Sequence, residues 1–129
     1  MEPTPPRRIL IVEDDPLTAR CYQAALKPHA AHFSWRWEAT GEGALACLRR
    51  ERADAVLLDW DLPGMSGLAV LQEIRAEPET VSLPVIMVTG RDDADSRDRA
   101  LECGATGFHS KPLEPDELAR WLLGLPAKA

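Results

Sequence analysis

Four short stretches of the chain carry residues whose types could do chemistry together. Glu13-Asp14 follows the apolar run Ile9-Leu10-Ile11-Val12, and Asp59 follows Ala55-Val56-Leu57-Leu58. Thr89 follows Pro84-Val85-Ile86-Met87-Val88, and Lys111-Pro112 follows a short segment from Thr106 to His109. On one rim, these would supply three carboxylates, one hydroxyl and one ammonium. Carboxylates that close cannot all stay ionised unless one is protonated or a cation joins them. Hard oxygen ligands in a half-open site suit Mg²⁺, which keeps several waters and accepts a phosphate oxygen. A lysine and a hydroxyl suit the remaining phosphate oxygens. Such a set could receive a phosphoryl group onto a carboxylate.

The elements that must position these residues alternate in kind. The apolar runs are short and continuous, and Ile9-Leu10-Ile11-Val12 is also β-branched, as a buried parallel strand should be. Between them lie segments of helical period. Asp15-Pro16 reads as a helix start, an acceptor at N-cap and Pro at the first position. Leu17, Cys21 and Ala24 then recur at helical spacing to about Leu26, and Pro28 stops that helix. Phe33, Trp35 and Trp37 alternate with polar residues, which predicts a half-exposed edge strand whose tryptophans pack on a helix. Ala44, Leu45 and Leu48 mark a second helix. Leu68, Leu71 and Ile74 mark a third, after the turn Leu62-Pro63-Gly64-Met65-Ser66-Gly67. A polar helix is expected from about Asp92 to Cys103, closed by Gly104. Pro115 opens a last one with Leu118, Trp121, Leu122 and Leu125 inside. Five strands alternating with five helices predict an α/β fold, a doubly wound parallel sheet with helices on both faces. Ligands in such folds lie beyond the carboxyl ends of the strands, where the four stretches fall. Residues 7–125 are expected to form the domain, with 1–6 a flexible tail and 126–129 a tail or the start of a linker.

In this order and spacing the motifs are recognisable. The chain resembles the receiver domain of two-component response regulators. The resemblance rests on residues 9–16, on 56–67, on 84–89, and on Gly104-Ala105 through Phe108 to Lys111-Pro112. It implies the strand order 2-1-3-4-5. It implies that Asp59 is the phosphoacceptor and that Mg²⁺, or Mn²⁺, is held by Asp14, Asp59 and the backbone carbonyl of Asp61. Glu13 would act through a metal-bound water. Lys111 would grip a phosphoryl oxygen, with a cis bond to Pro112. Thr89 would turn toward the phosphoryl group and Phe108 would turn inward, carrying the change to the helix4–strand5–helix5 face. The donor would be a sensor histidine kinase or a phosphotransfer protein, and the listener a downstream protein or output domain. Such a domain is a signalling switch that catalyses its own phosphoryl transfer and dephosphorylation, rather than an enzyme acting on a metabolite.

Departures from the commonest pattern are few. Glu13 stands where Asp is usual, a variant the family uses. Gly90 leaves the pocket mouth open. Asp61 is acidic where a neutral residue is common, and Arg91 lies two residues past Thr89. Asp61 and Arg91 are expected to pair and to tune the phosphate lifetime. Trp60, next to the phosphoacceptor, should report metal binding by fluorescence.

Other readings of the same residues are weaker. Asp15 is a better N-cap than metal ligand. Gly41-Glu42-Gly43-Ala44-Leu45-Ala46 imitates a dinucleotide fingerprint, but the strand before it alternates Trp with charged residues and the chain is short for that fold. Ser66 has no His/acid pair to make it a nucleophile. Asp92, Asp93 and Asp95, like Glu114, Asp116 and Glu117, are expected in first helical turns, where they complement the helix dipole. An aspartyl-phosphate hydrolase would use a second Asp at Asp61, yet no cap domain is evident. The intact acidic pair, Asp59, Thr89 and Lys111 argue against a degenerate receiver used only as a binding module; the amino-terminal receiver of a longer regulator and a homodimer are left open.

The chain has 129 residues and a net charge of −6. Residues 1–58 hold eight charges of each sign, whereas 59–129 hold seven basic and thirteen acidic. That half would repel a duplex or an anionic membrane, so neither nucleic acid nor membrane is an expected partner of this chain. Cys21, Cys47 and Cys103 lie far apart without a CxxC pair, and His29, His32 and His109 are scattered, which argues against zinc. The start lacks the apolar stretch of a signal peptide, so a cytoplasmic protein is expected.

Overall fold

A computed structural model describes residues 5–91 and 93–125. Expectations about residues 1–4, Asp92 and 126–129 lie outside the described residues. The strands are β1 (Arg7–Val12), β2 (Phe33–Glu38), β3 (Ala55–Leu58), β4 (Val85–Thr89) and β5 (Gly107–Ser110). The helices are α1 (Pro16–Leu26), α2 (Gly41–Arg50), α3 (Gly67–Ala76), α4 (Ala94–Glu102) and α5 (Pro115–Leu123), with a single 3₁₀ turn at Lys27–His29. All pairings are parallel, in the order β2-β1-β3-β4-β5.

Side chains alternate across the sheet and divide the core in two. Leu10, Val12, Val56, Leu58, Val85, Met87 and Phe108 meet α2, α3 and Ala100 of α4. Ile9, Ile11, Ala55, Leu57, Ile86 and Val88 meet Tyr22 and Leu26 of α1 and Leu118 and Leu122 of α5. Strands buried on both faces need continuous apolar runs, which β1, β3 and β4 supply. β2 lies at the edge and alternates as expected, with Phe33 buried and Trp35 half-buried against the α1 and α5 core.

Local signals set most helix ends. Asp15 caps α1 by accepting from the Leu17 and Thr18 amides. Thr40 and Ser66 do the same for α2 and α3. Asp93 is the N-cap of α4 rather than a first-turn residue, and its carboxylate accepts from the Ser96 amide. Glu114 sits at the α5 N-cap position without a side-chain bond, while Asp116 and Glu117 occupy the first turn. Gly104 follows α4 with φ +100, a left-handed conformation open to glycine. Gly41 has a packing role: a Cβ there would stand 2.6 Å from Cγ2 of Val70, so α2 and α3 meet closely. That accounts for a glycine otherwise read as part of a nucleotide motif.

Three details depart from the expectations. α1 occupies the expected residues, but its inner face is Ala19, Tyr22 and Leu26. Leu17 is 70% exposed, and Cys21 and Ala24 are exposed with it. Two stripes on one helix both had helical period, and packing against α5 and β1 selected the one holding the larger Tyr22 and Leu26. β5 runs one residue later than expected at each end; at Thr106 the amide still donates to the Val85 carbonyl, while the hydroxyl accepts from the Val85 amide. Trp37 does not pack into a helix; it is 40% exposed.

Candidate functional site

The site lies where β1, β3, β4 and the β5–α5 connection end. Glu13 and Asp59 sit one step, and Asp14 two steps, past the buried ends of β1 and β3, so the sheet holds them while their side chains reach the rim. Glu13 and Asp59 are buried, with 1% and 5% exposure, and Asp14 is exposed. One carboxylate oxygen from each of these three lies within 4.8 Å of the other two. Lys111 Nζ is 3.0 Å from Oδ2 of Asp59 and 2.7 Å from Oε1 of Glu13. The Lys111–Pro112 peptide is cis.

The acids are fixed by backbone donors. Oε2 of Glu13 accepts from the Asp15 amide at 3.1 Å, and Oδ1 of Asp59 accepts from the Asp61 amide at 3.3 Å. Oε1 of Glu13 is buried, and among the described residues the Lys111 ammonium 2.7 Å away is the cation that compensates it. The donor set is all oxygen and holds three carboxylates against one ammonium. These residues therefore fit a hard divalent cation that retains water.

Electrostatics follow from this crowding. Burial pushes the Glu13 carboxyl above its ordinary value, with the Asp59 charge adding to it; Lys111 and the Asp15 amide offset part of the rise. Burial alone would pull Lys111 down, yet its bonds to Glu13 and Asp59 outweigh that and hold it above an ordinary lysine. The ammonium thus stays charged and the pair of buried acids stays bridged.

A second set forms the outer lip. Arg91 donates to Oδ1 of Asp61 through Nε at 3.2 Å and Nη2 at 2.9 Å, and its guanidinium lies over the Trp60 ring, 4.9 Å from the centroid. The Thr89 hydroxyl donates to Oδ2 of Asp61 at 3.4 Å and accepts from the Arg91 amide at 3.3 Å. Asp61 and Arg91 therefore pair as expected, and Thr89 has Asp61 as its acceptor. Phe108 is buried at 8% exposure, in the core against α2, α3 and α4. A Cβ on Gly90 would meet nothing within 4 Å, so the lip is open there.

Two contacts had no signal in the sequence. Trp37 Nε1 donates to the backbone carbonyl of Glu13 at 2.6 Å, tying the edge strand to the acidic turn. The stacking of Arg91 on Trp60 joins residues thirty-one apart in the chain. Both depend on which strands are neighbours.

Comparison with known proteins agrees with this geometry. The profile of the response regulator receiver domain matches residues 9–122. The probable transcriptional regulatory protein TcrX of Mycobacterium tuberculosis is 35% identical over 122 residues, which are 93% of this chain and 50% of TcrX. The chain spans about half or less of the length of the curated relatives it matches. The receiver domain of sensor histidine kinase PA1611 from Pseudomonas aeruginosa, solved with a magnesium ion in its active-site cleft, superposes with a TM-score of 0.82. It is 31% identical, covering 91% of this chain and 94% of that one. The Mn²⁺-bound response regulator Rcp1 gives a TM-score of 0.85 at 26% identity, covering 96% and 100%. Five parallel strands in the order 2-1-3-4-5, an acidic rim bridged by a lysine, and these matches together establish that the chain belongs to the response regulator receiver domain family of two-component signalling.

Proposed function

We propose that this domain accepts a phosphoryl group on Asp59 in a Mg²⁺-dependent reaction and switches its affinity for a partner. The observation that carries the reading is the cluster of Glu13, Asp14 and Asp59 carboxylates with the Lys111 ammonium bonded to Asp59. Phosphoryl transfer is mostly positioning plus neutralisation of charge on the transferred oxygens. The sheet fixes Asp59, and Lys111 lies where it could follow a phosphoryl oxygen off Oδ2. Asp14, Asp59 and the Asp61 backbone carbonyl would hold Mg²⁺, or Mn²⁺, with Glu13 acting through bound water. The metal would supply positive charge to the transferred oxygens. Thr89 would exchange Asp61 for the phosphoryl group, and Phe108 and the α4–β5–α5 face would follow. Such two-state elements are what phosphorylation commonly biases.

A histidine kinase or phosphotransfer protein would be the donor in the cytoplasm, and an output domain or separate protein the listener. The same face could pair two copies. Among the described residues no helix is long and apolar enough to cross a membrane. Asp61 and Arg91 would tune the phosphate lifetime, because their pair forms the outer lip beside Thr89 and the pocket mouth.

Incubation with Mg²⁺ and a small phosphodonor, followed by intact mass, tests the reading. One hydroxylamine-labile phosphoryl adduct is expected, absent from Asp59→Asn. Its decay should change in Arg91→Ala. Absence of the adduct with both a small donor and a kinase would overturn the proposal, and an unaltered decay would remove the role given to Arg91.

A further inference from the structure

The opposite edge of the sheet carries a feature that phosphorylation does not use. The amino ends of β1, β3 and β4 open into a groove of about 1110 Å³. Its floor is apolar, formed by Leu48, Leu83, Pro84 and Leu125. Its rim carries Arg7, Arg49, Arg50 and Arg52 beside Glu51, Asp54 and Glu79, and Arg49, Arg50 and Arg52 are exposed at the end of α2 and just beyond it. Among the described residues none of these three arginines lies within ion-pair distance of a carboxylate. Glu51, in their midst, is already held by Arg36 at 3.0 Å. A second groove of about 430 Å³ adjoins at Arg52 and Ala53 and adds Arg8 and Arg36.

We infer that this edge docks an acidic, leucine-like segment of a partner polypeptide. Charge complementarity selects the sign: unpaired guanidiniums favour carboxylates and bind them in bidentate fashion. At about 1110 Å³ the groove lies at the upper end of the roughly 300–1,000 Å³ usual for small ligands, room enough for a peptide segment. The apolar floor selects a segment that also presents aliphatic side chains. A nucleic acid fits less well: Glu51, Asp54 and Glu79 line the same groove, and a duplex brings a phosphate at every step, whereas a peptide can set a few carboxylates on the arginines and aliphatic side chains elsewhere. The groove lies one strand length from Asp59, about 17 Å for the five residues from Asp54 to Asp59. The inference therefore stands apart from the phosphorylation reading.

The test uses the whole chain and a fluorescent synthetic peptide of alternating glutamate and leucine. Controls are the lysine–leucine counterpart and a short DNA duplex. Saturable binding is expected for the acidic peptide alone, weakening as salt rises. It should fall at least tenfold in Arg49→Glu/Arg50→Glu/Arg52→Glu, with amide shifts confined to Leu48, Ala53, Leu83 and their neighbours. Arg50→Gln, the milder variant, should weaken binding less and keep the wild-type melting temperature, which separates lost docking from lost folding. No binding, equal binding by the triple variant, or tighter arginine-dependent binding of the duplex would overturn the inference.

Discussion

The two edges of one sheet treat charge in opposite ways. At the carboxyl edge every cation is engaged: Lys111 bridges Asp59 and Glu13, and Arg91 holds Asp61 while lying on Trp60. At the amino edge Arg49, Arg50 and Arg52 face solvent with no carboxylate in reach among the described residues. Burial explains the contrast. Glu13 and Asp59 have lost most of their water and require compensation, whereas exposed arginines keep theirs. The acidic edge is internally compensated, Lys111 meeting a buried oxygen of both Glu13 and Asp59. The basic edge is satisfied by solvent, so it can exchange water for a partner at little structural cost.

Substitutions should expose this difference, since the carboxyl edge is packed against backbone and the amino edge is not. The largest effect is expected from Gly67→Ala. Its Cβ would stand 1.9 Å from the Asp59 carbonyl oxygen and 2.8 Å from Cα of Trp60, both backbone atoms that cannot swing away. A loss of about 3 kcal/mol, the upper end of ordinary overpacking, should appear in urea denaturation. A loss near zero would show that the carboxyl edge yields as easily as the amino edge.

Next is Lys111→Met. Removing one partner of a buried pair costs about 3–5 kcal/mol, and the partial exposure of Lys111 reduces the expected loss to about 2 kcal/mol at neutral pH. The pH dependence has a definite sign. Without the ammonium, the Glu13 carboxyl, already raised by burial, rises further. A carboxyl raised in the folded state costs stability above its folded pKa and none below its unfolded one. The deficit against wild type should therefore shrink as pH falls through the Glu13 range. A deficit independent of pH would mean that Lys111 matters through packing instead.

The smallest effect is expected from Trp37→Phe. It keeps the ring but deletes the Nε1 donor to the Glu13 carbonyl, worth about 1 kcal/mol. Because that bond orients the acidic turn, Mg²⁺ titrated against Trp60 fluorescence should bind a few-fold more weakly. Unchanged affinity with lowered stability would confine Trp37 to the edge strand.

Much of the carboxyl edge was legible because its residues follow strands that announce themselves. Continuous apolar runs marked β1, β3 and β4, and Glu13, Asp59 and Thr89 stand directly at their ends, with Asp14 next to Glu13. Asp15-Pro16 marked the start of α1 through local hydrogen bonding alone. The face of α1 was harder to read. Leu17, Cys21, Ala24 and the stripe of Ala19, Tyr22 and Leu26 both repeat every three to four residues, and only the neighbours of α1 distinguish them. The amino-edge groove left no trace, because Arg49 to Arg52, Leu83 and Leu125 are brought together by three separate crossovers.

The sequence by itself determined the alternation of strand and helix, the parallel sheet, and which residues close each strand. Those properties depend on local period, capping and burial on both faces. Tertiary structure alone decided that Lys111 meets Glu13 as well as Asp59, that Thr89 rests on Asp61, and that Trp37 holds the Glu13 carbonyl. The reason is physical: a side-chain contact across strands depends on strand order and register to within an ångström, and no spacing along one chain encodes that distance.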